Sequence, residues 1–316
     1  MKRIFAIQTD TAGCFMYRLY WPLIHLDRKR FEVHWGAPGP DIFDYDIVIG
    51  QRIAGENQLW RDLCDNPNVM AVYDLDDDLL HVDPENTVPY SIYGSTAEST
   101  LRNILKADKI TVSTPALEAG FAPFHESVHV LPNCLPQSWM QYREPPWPPI
   151  VGWAGSMFHA QDWNGTGVAG GIIRYVHGHP GATFHTIGAR YLNGIPVRYT
   201  PWSTMEAYHA ALDFSVGVAP LMVSPFNRSK SHCKVLEYAS KGIPAIATDL
   251  GGQYVDFIEP GVNGYLVKYP EDWYGYLMMA TNDQDYLREL GRAAYQKALT
   301  FTIERNIHLW ESVYES

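Results

Sequence analysis

The chain has 316 residues, of which 46% are hydrophobic, and 24 Lys and Arg stand against 35 Asp and Glu, giving a formal charge of −11. That length fits two domains of ordinary size. The acid excess, concentrated before Ile150, argues against a surface for DNA or anionic lipid. The cysteines at 14, 64, 134 and 233 are too scattered for a zinc site or a disulfide framework. No stretch is long and apolar enough to span a bilayer, and Met1-Lys2-Arg3 runs into a strand-like segment instead of a signal-peptide core, so a soluble, cytoplasmic protein without stable membrane insertion is expected.

Short apolar runs alternate with helical patterns along the whole chain, the signature of parallel sheets covered by helices. The first half predicts strands over 4–8, 31–35, 47–50, 69–74, 109–113 and 129–131, with helices over 15–26, 56–64, 96–106 and 115–121. The last of these helices has Pro at its first position, as helix starts prefer. Arg28-Lys29-Arg30, the one basic run, reads as a solvated turn. Residues 135–149 carry five prolines and no apolar periodicity, and read as a linker. The second half restarts with strands over 150–153, 182–187, 197–199, 214–218, 245–248 and 264–267. Its helices fall over 170–177, 203–211, 230–241 and 271–280, and helices over 283–299 and 303–313 close the chain.

Three places carry candidate chemistry. Thr9-Asp10-Thr11-Ala12-Gly13 follows the first strand and opens the first helix, where Gly13 would let a backbone approach a ligand and the helix start would favour an anion. An ordinary strand-to-helix turn explains it about as well. Tyr73-Asp74-Leu75-Asp76-Asp77-Asp78 ends a buried strand; Asp74 and Asp76 at that spacing could hold Mg²⁺ or Mn²⁺, or could cap the turn or orient a hydroxyl, with His81 just beyond. Gly152-Trp153-Ala154-Gly155-Ser156 forms a similar turn in the second half, followed by His159, Gln161 and Asp162. Neither G-x-G-x-x-G nor the P-loop pattern occurs, which removes the main marker of dinucleotide oxidoreductases and P-loop ATPases.

The most informative stretch runs from Phe226 to Thr248. Lys230, Lys234, Glu237 and Lys241 fall on one face of the predicted helix. Ser229 or Ser231 could cap it, leaving backbone N–H groups and Lys230 for a phosphate and Glu237 for ribose hydroxyls. Periodicity alone would favour a solvated face.

Asn-x-x-Lys-Ser, Lys-x-x-Glu-Tyr, Lys-Gly-Ile-Pro, a small apolar strand and Gly251-Gly252 together resemble the donor-binding segment of GT-B glycosyltransferases, in the retaining group related to glycogen and sucrose synthases. The resemblance covers the second half by motif and the first by architecture. It implies an α/β fold of two Rossmann-like doubly wound domains facing across a cleft: residues 1–134 as acceptor domain, 135–149 as linker, 150–300 as donor-nucleotide domain, and 301–316 as a terminal helix packing back on the first. It further implies a nucleoside-diphosphate sugar, a UDP-sugar for instance, as co-substrate, with no cofactor and no metal, and transfer to a hydroxyl of a glycan, lipid-linked sugar, protein or modified nucleobase. Gly13, Gly155, Ser156, His159, Lys230, Ser231, Lys234 and Glu237 would bind the donor, and Lys230, Asp76 and His81 would serve catalysis. The family's first acid is missing, with Ser229 in its place, and no Lys or Arg follows Ser156 until Arg174. A metal-dependent GT-A transferase using Asp74 and Asp76, which has a single Rossmann-like sheet, and a sugar-nucleotide isomerase or epimerase are the alternatives.

Overall fold

The computed structural model describes residues 1–9, 13–192 and 194–316. The chain divides into two compact units. The first consists of Met1–Cys134, Ser229–Ser231 and Ile303–Ser316, and the second of Leu135–Arg228 and His232–Thr302. Residues 135–149 thus lie wholly within the second unit. Among the described residues no helix is long and apolar enough to cross a membrane.

Each unit is built on one parallel six-stranded sheet. In the first, β1 (Lys2–Ile7), β2 (Phe31–Gly36), β3 (Ile47–Gln51), β4 (Met70–Leu75), β5 (Lys109–Val112) and β6 (Val128–Val130) take the order β2-β1-β3-β4-β5-β6. In the second, β7 (Ile150–Gly155), β8 (Thr183–Gly188), β9 (Val197–Pro201), β10 (Val216–Ala219), β11 (Ala245–Thr248) and β12 (Gly264–Val267) take the order β12-β11-β10-β7-β8-β9. Every pairing is parallel. Helices cover the sheets, so central strands such as Ile47–Gln51 are buried on both faces and read as continuous apolar runs. Two sheets of equal size exclude the single-sheet GT-A architecture.

The cores are separate. Val48, Trp60, Tyr73, Ile110 and Leu117 pack in the first unit, and Trp153, Trp163, Phe184, Trp273 and Leu290 in the second. The helix Ile303–Glu315 is fastened to the first sheet's unit by backbone carbonyls: Lys2 Nζ donates to Tyr314 O at 2.8 Å and Lys109 Nζ to Val313 O at 2.6 Å. Arg30, expected to be solvated, pairs with Glu311 of that helix at 2.9 Å and also with Glu315.

Two helices differ from expectation. The continuous helix predicted over 15–26 is a short α-turn, Gly13–Phe15, a π-helical stretch, Met16–Tyr20, and a second α-turn, Trp21–His25. The helix predicted over 230–241 is only Cys233–Ala239, with a separate turn at Pro225–Arg228 before it. Lys230 and Ser231 therefore precede the helix instead of starting it. Lys241 follows it and is fully buried, its Nζ donating to Gln141 Oε1 at 2.7 Å, and Glu237 is buried as well. The solvated stripe does not exist.

Candidate functional site

In parallel α/β sheets ligands bind outside the carboxyl ends of the strands, where the strand order reverses. That point lies between β1 and β3 in the first sheet and between β7 and β10 in the second. The candidate residues gather at both.

At the carboxyl edge of the first sheet the chemistry is one of paired charges. Arg18, carried inward by the π-helical stretch, donates to both oxygens of Asp74 at 3.1 and 2.8 Å, to Asn133 Oδ1 at 3.1 Å and to the Leu131 carbonyl. Thr111 Oγ1 adds a third donor to Asp74 at 2.8 Å. The Arg18 and Asp74 side chains are 0% and 2% exposed, so the pair survives burial only through this full set of partners. Burial opposes the Arg18 charge, but Asp74 more than compensates and raises its pKa.

Next to them Arg52 meets Asp76 at 2.5 Å and Asp77 at 2.8 Å. Burial again works against the guanidinium, and the two carboxylates lift its pKa well above the ordinary value. Arg52 has φ 50°, a left-handed conformation that costs a non-glycine residue free energy and tends to mark functional positions. Asp77 also accepts from Lys230 Nζ at 3.1 Å. With guanidinium and ammonium groups against Asp74, Asp76 and Asp77, these oxygens are already charge-balanced. Among the described residues no group of three or more His, Cys, Asp or Glu is arranged to hold a metal ion.

The stretch Ser229–Ser231 docks here by its own polar groups: Thr114 Oγ1 donates to Ser229 O at 3.0 Å, and Asn133 Nδ2 to Ser231 Oγ at 2.8 Å. Neither serine caps the following helix, whose N-cap is His232 with no side-chain cap bond. His81 bonds its neighbour Asp78 at 2.8 Å and is 66% exposed. Gly13 opens the first α-turn with open space at its α-carbon until the Tyr17 ring at 3.8 Å, while Asp10, Thr11 and Ala12 lie outside the described residues.

The second sheet's edge is built from glycine and aromatic groups. β7 ends at Gly155, and a Cβ there would stand 2.6 Å from the Trp153 indole and 3.2 Å from Lys234 Nζ. Lys234 donates to the Ala154 carbonyl and packs 5.6 Å from the centre of the Trp153 ring. Gly188, at the end of β8, has φ +90° and its α-carbon faces Gly155 O, which a Cβ would meet at 2.3 Å. These contacts require glycine at both positions. Ser156 turns the chain into Met157–His159, its O accepting from Tyr191 at 3.0 Å. Glu237 accepts from the buried Tyr208 phenol at 2.6 Å, while burial, with Glu237 beside it, pushes the Tyr208 pKa well up. His159 bonds Asp162 at 2.9 Å.

Gly155, Ser156, His159, Lys234 and Glu237 thus belong to the second unit, and Gly13, Asp76, His81, Lys230 and Ser231 to the first. Arg52 and Tyr208 went unrecognised in the sequence. Arg52 had no local signal, since nothing in Gln51-Arg52-Ile53 announces a positive φ. Arg198 pairs with Asp213.

No family model and no curated protein matches the chain. Solved structures do. A sucrose-phosphate synthase from Thermosynechococcus elongatus matches with TM-score 0.70 at 14% identity, covering 100% of this chain and 98% of that one. The Anabaena protein HepE, determined with UDP-glucose, matches with TM-score 0.71 at 13% identity over 100% of both chains. TarM matches with TM-score 0.64 at 15% identity over 85% of this chain, which spans 55% of TarM. These neighbours are GT-B glycosyltransferases, and at such identity the likeness establishes the fold: this chain has the two-domain α/β GT-B architecture.

Proposed function

We propose that this chain is a glycosyltransferase that moves a sugar from a nucleoside-diphosphate sugar, in the first instance a UDP-sugar, to a hydroxyl acceptor. The observation that carries the reading is the glycine-lined edge after β7, where Lys234 backs onto Gly155, one helical segment away from the buried Glu237. Its place at the reversal of strand order, in a fold whose solved neighbours include one determined with UDP-glucose, supports it.

In this reading Gly155 and Ser156 bring backbone against the donor diphosphate, and Lys234 and His159 meet its charge. Glu237 accepts the ribose hydroxyls, with Tyr208 holding one carboxylate oxygen in place. The bond from the anomeric carbon to the phosphate oxygen lengthens, and preorganised positive charge stabilises the leaving diphosphate. The acceptor oxygen bonds to that carbon from the same face, giving retention, and its proton passes to the departing phosphate. Asp76 and His81 serve catalysis on the acceptor side. No metal takes part, because protein cations neutralise the diphosphate.

The test is release of nucleoside diphosphate from a panel of nucleotide sugars offered with pooled hydroxyl acceptors, run with and without EDTA. Turnover that survives EDTA and is lost in Lys234→Ala is expected. No binding of any nucleotide sugar in calorimetry would overturn the function, and rescue of an EDTA-dead enzyme by Mn²⁺ would overturn the metal-free mechanism.

A further inference from the structure

The turn after β7 contains a carboxylate held from three directions. Asp162, in the helix Ala160–Gly165, is 4% exposed. Its Oδ1 accepts from Asn227 Nδ2 at 2.8 Å and from the Met222 backbone N–H at 2.9 Å, and its Oδ2 bonds His159 Nδ1 at 2.9 Å. Asn227 is itself pinned by donating to Met222 O at 2.9 Å. An exposed His–Asp contact three residues apart would contribute little. Here the carboxylate is out of water, which costs free energy unless the charge is compensated by donors and, best, by an opposite charge.

A carboxylate on Nδ1 fixes the imidazole's orientation, so that Nε2 presents the second N–H, and it favours the protonated ring. Between Gly155 and Arg174 the sequence holds no Lys or Arg, so the histidine is the single side chain of that stretch able to carry positive charge. We propose that Asp162 is a positioning residue that holds His159 as an imidazolium, and that this imidazolium supplies the positive charge an anionic diphosphate needs beside the turn after β7. The inference rests on the nucleotide-sugar reading and adds to it the source of charge and a dependence on pH.

The groups around the ring support the assignment. Lys234, packed on the Trp153 indole whose ring lies 6.3 Å from the imidazole, opposes protonation. Asp162 is in direct contact with the ring at 2.9 Å, and attraction between charges falls with distance. Two phenols face the same carboxylate and stay neutral: burial and Asp162 together push Tyr191 up to about 12, and Tyr254 is pushed up by the same two causes.

Binding of UDP to wild type, His159→Gln and Asp162→Asn, measured by calorimetry from pH 5.5 to 8.5, tests it. UDP's terminal phosphate titrates alike in all three, so the ratio of dissociation constants isolates the imidazolium. His159→Gln should bind about tenfold more weakly at the acid end, the scale of one hydrogen bond to a charged group, with the ratio falling toward one as the ring deprotonates. Asp162→Asn should move that fall to lower pH. The imidazole titration of His159 followed by NMR, a second reading that does not depend on the Asn variant folding, should show wild-type protonation above the ordinary histidine value. A ratio that does not change with pH, or a His159 titrating at or below the ordinary value, overturns the proposal while leaving the glycosyltransferase reading intact. UDP that fails to bind wild type at any pH overturns both.

Discussion

The two sheets share strand number and all-parallel pairing, and each reverses its strand order once, yet their carboxyl edges are chemically unlike. On the first, Arg18, Arg52 and Lys230 meet Asp74, Asp76 and Asp77 in a chain of opposite charges. On the second, Lys234 donates to a backbone carbonyl and Glu237 accepts from a phenol, among glycines and indoles. One scaffold can therefore carry an edge whose charges balance one another, and another where Lys234 and Glu237 rest on dipoles that a charged ligand can replace.

If that contrast is right, the largest effect lies in the balanced edge. Arg18→Ala leaves Asp74 buried without its cation and is expected to cost about 3–5 kcal/mol of stability in urea unfolding. A loss below about 1 kcal/mol would mean that Asp74 is served well enough by Thr111 and Gln51 and that the edge is not an ionic network. Substituting Lys234 by Ala in the other edge should instead leave unfolding nearly unchanged and lower turnover about a hundredfold, as loss of one transition-state donor does. Equal losses of stability from the two substitutions would erase the distinction.

Glu237→Gln sharpens the comparison on the ligand side. The amide can still accept from Tyr208 but holds ribose hydroxyls less tightly, so a ribonucleotide should lose roughly ten- to a hundredfold in affinity and a 2′-deoxyribonucleotide much less. Equal losses for the two nucleotides would make Glu237 a packing residue.

An effect spread over pH belongs to the interior of the second unit. His209 stacks on Trp139 at 4.2 Å and contacts Ser240 Oγ at 3.1 Å, and burial, helped by Lys241 and Arg143, pushes its pKa down to about 3. Between that value and the ordinary one near 6.5 the unfolded chain binds a proton that the folded chain refuses, so stability rises with pH across the window and is lost in acid. The slope should reach at most about 1.4 kcal/mol per pH unit and should flatten in His209→Gln, followed as the urea midpoint at each pH.

The sequence carried the strands well because burial on both faces writes itself as an uninterrupted apolar run, as in Ile47-Val48-Ile49 and Ala245-Ile246-Ala247. Gly155-Ser156 was readable as a turn for the same local reason: a strand ended on glycine. The stretch Ser229-Lys230-Ser231 misled because its composition suits a helix start, while contacts with Thr114 and Asn133, a hundred residues away in sequence, take its polar groups. Arg52 and Arg18 were illegible as partners, since what defines them is the arrival of Asp74, Asp76 and Asp77 on a neighbouring strand.

The first unit is assembled from three separate stretches, the last of which is the helix Ile303–Glu315. Lys109 and Lys2 give their ammonium protons to carbonyls at 313 and 314, so both wait for partners made some two hundred and three hundred residues later. During synthesis the amino-terminal sheet must therefore persist with that flank uncovered until the helix Ile303–Glu315 has been made. Such long-range closure slows folding. A ribosome stalled before that helix is made would hold a nascent chain whose first-made half is the part left incomplete.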